Sequence, residues 1–98
     1  MHTIRLTPQA EQDLRDIWQY GAGNWGTPQA ERYFDAMYGT FQLISEFPEI
    51  ARLRGEFKPP VRLHPFRSHL IAYDVADDGI DVIRILHMRS DVLALLET

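Results

Sequence analysis

Residues Ile83 to Asp91 read IRILHMRSD, an apolar run that ends in His87, Arg89 and Asp91. The same run holds Arg84, and Arg62, His64, Arg67 and His69 stand shortly before it. A metal-free ribonuclease needs such a set. One group deprotonates a 2′-hydroxyl, another protonates the leaving oxygen, and cations hold the phosphate charge as it develops. In that reading His87 is the acid, with Arg67 and Arg89 on the phosphate. The alternative is the polar rim of a sheet, with Arg84 paired to an aspartate of a neighbouring strand and His87 bonded to backbone. Residue types alone leave both open.

Other chemistries are poorly supplied. The chain has no cysteine, which removes disulfides and thiolate metal sites and allows a reducing compartment. His64 and His69 lack an evident third ligand, so no metal is expected. GAGNWG (Gly21 to Gly26) has neither the preceding strand nor the lysine of a phosphate-binding loop. No G-x-S-x-G element offers a nucleophilic serine. No cofactor is expected.

The elements that must position these residues follow from periodicity. Thr3 to Leu6 alternates as a short strand. Thr7 and Pro8 start a helix, with Ala10, Leu14, Ile17 and Trp18 on one stripe. The glycines of GAGNWG are expected to end it. Thr27 and Pro28 repeat the start. Ala30, Phe34, Met37, Phe41 and Ile44 form the next stripe, widened by Leu43 and Phe47 and stopped by Pro48. The pair reads as an antiparallel helical hairpin. Residues 48–60 read as a loop. VRLHPF, HLIAYDV and IDVIRILHM read as strands. Pro65 confines the first to an edge or bulge, Asp78-Gly79 joins the last two, and apolar residues on both faces put the third in the middle. Ser90 is expected to cap a short terminal helix over DVLALLE. The result is one α+β domain over residues 1–98, ordered β-α-α-β-β-β with a short tail, the hairpin on one face of a mainly antiparallel sheet.

At 98 residues the chain builds one modest core. Its formal charge of −4 argues against a surface devoted to nucleic acid. The one basic block is central: Arg52, Arg54, Lys58, Arg62 and Arg67 against Glu49 and Glu56. Nine of the ten basic residues are arginine, suited to bidentate carboxylate or phosphate contacts. No apolar run approaches the ~20 residues of a membrane-spanning helix. No signal-peptide core opens the chain. A cytoplasmic protein is expected. The widened stripes, with Trp18, Tyr20 and Trp25, hold more apolar surface than one sheet covers, which suits a partner's amphipathic helix.

TPQAEQDLRDIWQYGAGNWG resembles the first helix and turn of the ParE branch of the RelE/ParE toxin superfamily, at Ala10, Asp13, Leu14, Ile17, Trp18, Tyr20, Trp25 and Gly26. FPEIARLRGEF resembles that family's loop after the second helix. VRLHPFRSHLIAYDVADDGIDVIRILHMRSD resembles its closing sheet, at Arg62, Tyr73, Ile83, Ile85, Leu86, His87, Arg89 and Asp91. The resemblance implies the toxin of a type II toxin–antitoxin module, neutralised by a ParD-like, ribbon-helix-helix antitoxin. Antitoxin contacts are expected at Leu14, Trp18, Met37, Leu43, Arg52 and Arg54. Target contacts are expected at Arg62, Arg67, Arg84, His87 and Arg89. ParE-like members poison DNA gyrase; RelE-like relatives cut mRNA on the ribosome. One lysine, the negative charge, no tyrosine after Tyr73, and Met88 between His87 and Arg89 favour the gyrase-directed branch. The nuclease set of Arg67, His87 and Arg89 is the alternative.

Overall fold

The computed structural model describes residues 2–96. Strand β1 (Thr3–Leu6) leads into helices α1 (Pro8–Trp25) and α2 (Thr27–Glu46). A 3-10 turn (Pro48–Ile50), then strands β2 (Leu53–Arg54), β3 (Val61–Phe66), β4 (His69–Ala76) and β5 (Gly79–His87), and a short helix α3 (Val92–Leu96) complete the chain. The sheet order is β1-β5-β4-β3-β2. Only the β1–β5 pair is parallel; the others are antiparallel.

Thr7 caps α1 as its sequence predicts, its hydroxyl accepting the Ala10 N–H at 3.1 Å. The helix does not stop at Gly21. It runs to Trp25 because Gly21 lies buried against α2, where an added Cβ would stand 3.6 Å from the Cβ of Ala30. The missing side chain serves helix–helix contact rather than termination. Gly26, at φ 88°, is the whole connection, and its N–H donates to the Ala22 carbonyl. Thr27 consequently sits inside α2 and makes no cap; the second Thr-Pro differs from the first in that respect.

One face of the sheet meets the hairpin. Met37, Phe41 and Ile44 from α2 and Ala10 from α1 pack on Ile71, Tyr73, Ile80, Val82 and Ile85. The interior position of β5 is as expected. The opposite face is not bare: Phe57, Val61 and Ala72 form a second small core under Val92 and Leu96 of α3. Asp91, rather than Ser90, caps that helix, accepting the Ala94 N–H at 3.2 Å. Ser90 bonds back to the His87 carbonyl instead, and Glu97 lies outside the described residues.

Strand β2 replaces part of the expected loop. Two tethers draw it in: Tyr73 Oη donates to the Pro48 carbonyl at 2.7 Å, and Arg62 Nη1 to the Ala51 carbonyl at 2.6 Å. Because β2 pairs only with Val61 and Arg62, the edge at Pro65 stays open, and its missing N–H costs no ladder bond.

The β4–β5 turn is two residues, with Ala76 opposite Gly79. A Cβ on Gly79 would fall 1.8 Å from the Thr3 carbonyl oxygen, so β1 can lie there only beside glycine. Gly79→Ala is expected to destabilise the protein by about 1–3 kcal/mol or more, the scale of overpacking. Gly39→Ala, at an open helical position with nothing near its Cβ, is expected to stabilise it by roughly 0.5–1 kcal/mol. Urea denaturation reads both; Gly79→Ala as stable as the parent would contradict the contact.

Candidate functional site

Strand register gathers a polar group at one end of the sheet. His69 lies opposite His87 on one side and Phe66 on the other. Phe66 and His69 flank a two-residue turn, Arg67-Ser68, and the Ser68 carbonyl accepts the Met88 N–H at 2.8 Å. That bond holds the chain after β5 against the turn. Arg67 adopts φ 53°, uncommon for a side chain-bearing residue. Its guanidinium lies over the rings of Tyr33 and Phe66, at 5.3 and 5.1 Å.

Tyr33 of α2 reaches this end. Its hydroxyl is 2.6 Å from His69 Nδ1. Burial pushes the phenol pKa up, so the group stays protonated and can donate to His69. Burial, reinforced by the neighbouring His87, pulls the His69 pKa down; Asp13 opposes this weakly. The His69 and His87 rings stand edge to face at 5.5 Å. His87 Nδ1 accepts the Arg89 N–H at 3.1 Å, which places the proton of a neutral ring on Nε2. His87 and Arg89 are both exposed.

The five residues expected at a target surface are therefore divided. Arg67, His87 and Arg89 share this sheet end. Arg62 sits at the other end of β3, bound to the Ala51 carbonyl. Arg84 makes a bidentate pair with Asp13, through Nε at 2.8 Å and Nη2 at 3.1 Å. Its partner comes from α1, not from a neighbouring strand. Neither arginine offers a free guanidinium. Tyr33 went unremarked in the sequence, although its spacing from Ala30 and Met37 puts it on the stripe that faces the sheet.

The outer side of the hairpin carries the expected apolar contacts in part. Trp18 meets Phe34 edge to face at 5.3 Å, and Leu14 joins them in a shallow groove. Met37 is only 1% exposed and belongs to the core, so it is no surface contact. Leu43 is exposed, and so are Phe47, Ile50 and Leu53 further along the chain. Arg54 pairs with Glu56 at 2.7 Å and lies over Phe57; Arg52 is exposed.

The depressed His69 pKa sets a pH dependence. Below the ordinary value of 6.5 the unfolded chain binds a proton more readily than the folded one. Stability therefore falls as pH drops through that value and is fully retained above it. His69→Asn is expected to flatten the melting temperature between about pH 7 and pH 5 relative to the parent; parallel curves would show that the histidine is not the titrating group.

Comparison with known proteins agrees with the geometry. The family described as ParE toxin of type II toxin-antitoxin system, parDE, matches residues 4–92. Toxin ParE1 of Mycobacterium tuberculosis (strain H37Rv) is 36% identical over 88 residues, covering 89% of this chain and 90% of that protein. Toxin ParE1 of Caulobacter vibrioides is 31% identical over 96 residues, covering 98% and 99%. A solved chain of the chromosomal ParDE toxin–antitoxin system from P. aeruginosa superposes with a TM-score of 0.75 over 91% of this chain and 98% of that one, at 18% identity, which speaks for the fold. The chain belongs to the ParE toxin family of parDE type II toxin–antitoxin systems, a family that implies an antitoxin partner.

Proposed function

We propose that this toxin acts by binding, that its target is DNA gyrase, and that a ParD-like antitoxin neutralises it by laying an apolar helix along the outer groove of the hairpin. The observation that carries the reading is the half-buried apolar groove of Leu14, Trp18 and Phe34. A partner's apolar helix would cover the part of this surface that the hairpin leaves in water. Leu43, Arg52 and Arg54 extend the antitoxin path past the end of α2. No described helix is long and apolar enough to cross a membrane, and the proposed target places the action in the cytoplasm.

The proximity of Arg67, His87 and Arg89 favours one second reading, a RelE-like mRNA endoribonuclease. Against it, Arg62 and Arg84 are occupied by the fold, which leaves few cations for phosphate, and the overall charge is −4.

Purified toxin is expected to inhibit supercoiling by gyrase, and added antitoxin to relieve it. Absence of inhibition at micromolar toxin would sink the gyrase reading. His87→Gln separates the two mechanisms: a binding toxin keeps its potency within a few-fold, whereas a nuclease loses roughly 10²–10⁴-fold of its mRNA cleavage. For the antitoxin surface, Trp18→Ala is expected to weaken the complex by about 2 kcal/mol, roughly 30-fold in Kd. Calorimetric titration giving an unchanged affinity would move the antitoxin to another face.

A further inference from the structure

A cleft of about 520 Å³ lies between the far half of the hairpin and the sheet end that carries the histidines. Its size is that of a small-ligand site, not a packing gap. Tyr20, Trp25, Tyr33 and Phe34 line it, with Asp16 from α1. His69 and His87 contribute from the sheet. The antitoxin groove meets it only at Phe34, and the expected target contacts only at His87.

Three observations bear on what it holds. Tyr20 and Trp25 are 62% and 58% exposed and meet edge to face at 5.5 Å, so ring surface is left open to solvent. Asp16 has no ion pair among the described residues; its carboxylate accepts one bond, from Gln12 Nε2 at 2.9 Å. Finally, the chain already shows a guanidinium resting on one aromatic of the cleft: Arg67 lies over Tyr33, and over Phe66 outside the cleft, and it borders a neighbouring hollow rather than this cleft.

We propose that the cleft receives an arginine side chain of a partner protein, its guanidinium stacked on Tyr20 or Trp25 and hydrogen-bonded to Asp16. Open ring faces attract a cation, and the carboxylate supplies its counter-charge. A purely apolar occupant would strip water from Asp16 without replacing the lost bonds, and an anion would meet the carboxylate. Arginine fits better than lysine because its planar fork stacks and bonds at once. The largely exposed walls suit a side chain presented from another surface, rather than a metabolite enclosed by the protein.

The test is an NMR titration of the ¹⁵N-labelled full chain with N-acetyl-arginine methylamide. The Trp25 indole N–H and the Asp16 amide are expected to shift, saturating at roughly 1–50 mM as befits a single side-chain contact. The neutral isostere, N-acetyl-citrulline methylamide, is expected to bind at least about fivefold more weakly, and Asp16→Asn to weaken the arginine probe by a similar factor. Asp16 is exposed, so an unchanged spectrum elsewhere confirms that the variant folds. Citrulline binding as well as arginine, Asp16→Asn binding as well as the parent, or no shift at all would overturn the proposal. So would agmatine binding more tightly than the capped arginine, which marks a small-amine site, or adenosine monophosphate shifting Trp25 in its place, which marks a nucleotide site.

Discussion

The structure turns on one carboxylate. Strand β1 pairs with β5 only from Gly79 to Val82, so the second half of the β5 edge lacks a strand. Helix α1 takes over. Thr7 Oγ1 donates to the Ile83 carbonyl at 2.6 Å, and Asp13 Oδ2 accepts the Ile85 N–H at 2.9 Å while the same carboxylate holds Arg84 at 2.8 and 3.1 Å. The register slips here, with Tyr73 opposite Val82 and Ala72 opposite Arg84, so Ile83 is the extra residue of a bulge. Both charged side chains are largely buried, at 17% and 14% exposure. Loss of the carboxylate would strand a buried guanidinium and a backbone donor, a cost of about 3–5 kcal/mol for such pairs.

This attachment fixes what is left for partners. With Asp13 turned to the β5 edge and Ala10 in the core, Leu14 packs at the margin of that core and, with Trp18 and Phe34 of α2, stays only half-buried along the helix seam. The same placement of α1 sets Asp16 and Tyr20 over the far end of the sheet, beside the histidines of β4 and β5. Two surfaces of different character thus share one helix: an apolar groove suited to a helix, and an aromatic, carboxylate-bearing cleft. The proposed binding mechanism calls for surfaces of that kind more than for a proton-transfer pair.

Much of this was legible locally. The stripes of Ala10, Leu14 and Ile17 and of Ala30, Met37 and Phe41 placed the hairpin, Pro65 marked an open edge, and apolar residues on both faces of IDVIRILHM placed β5 inside the sheet. What escaped was non-local. Gly21 reads as a helix breaker until Ala30 is known to lie against it. Residues 51–54 read as loop because the tethers from Arg62 and Tyr73 come from distant strands. The partner of Arg84 is 71 residues away, beyond any periodicity. In IRILHMRSD, an arginine that looked available for chemistry proved to belong to the fold. His87 and Arg89 lie exposed beyond it.

The most direct test of this account is amide hydrogen exchange at Ile85. If Asp13 completes the β5 edge, the Ile85 amide is strongly protected in the parent, although no strand lies on the side of β5 to which it points. In Asp13→Ala its protection should fall to that of an exposed edge amide, by more than the loss at β5 amides that face β4. An Ile85 amide, on the side of β5 away from β4, that exchanges freely in the parent, or keeps its relative protection in Asp13→Ala, would contradict it.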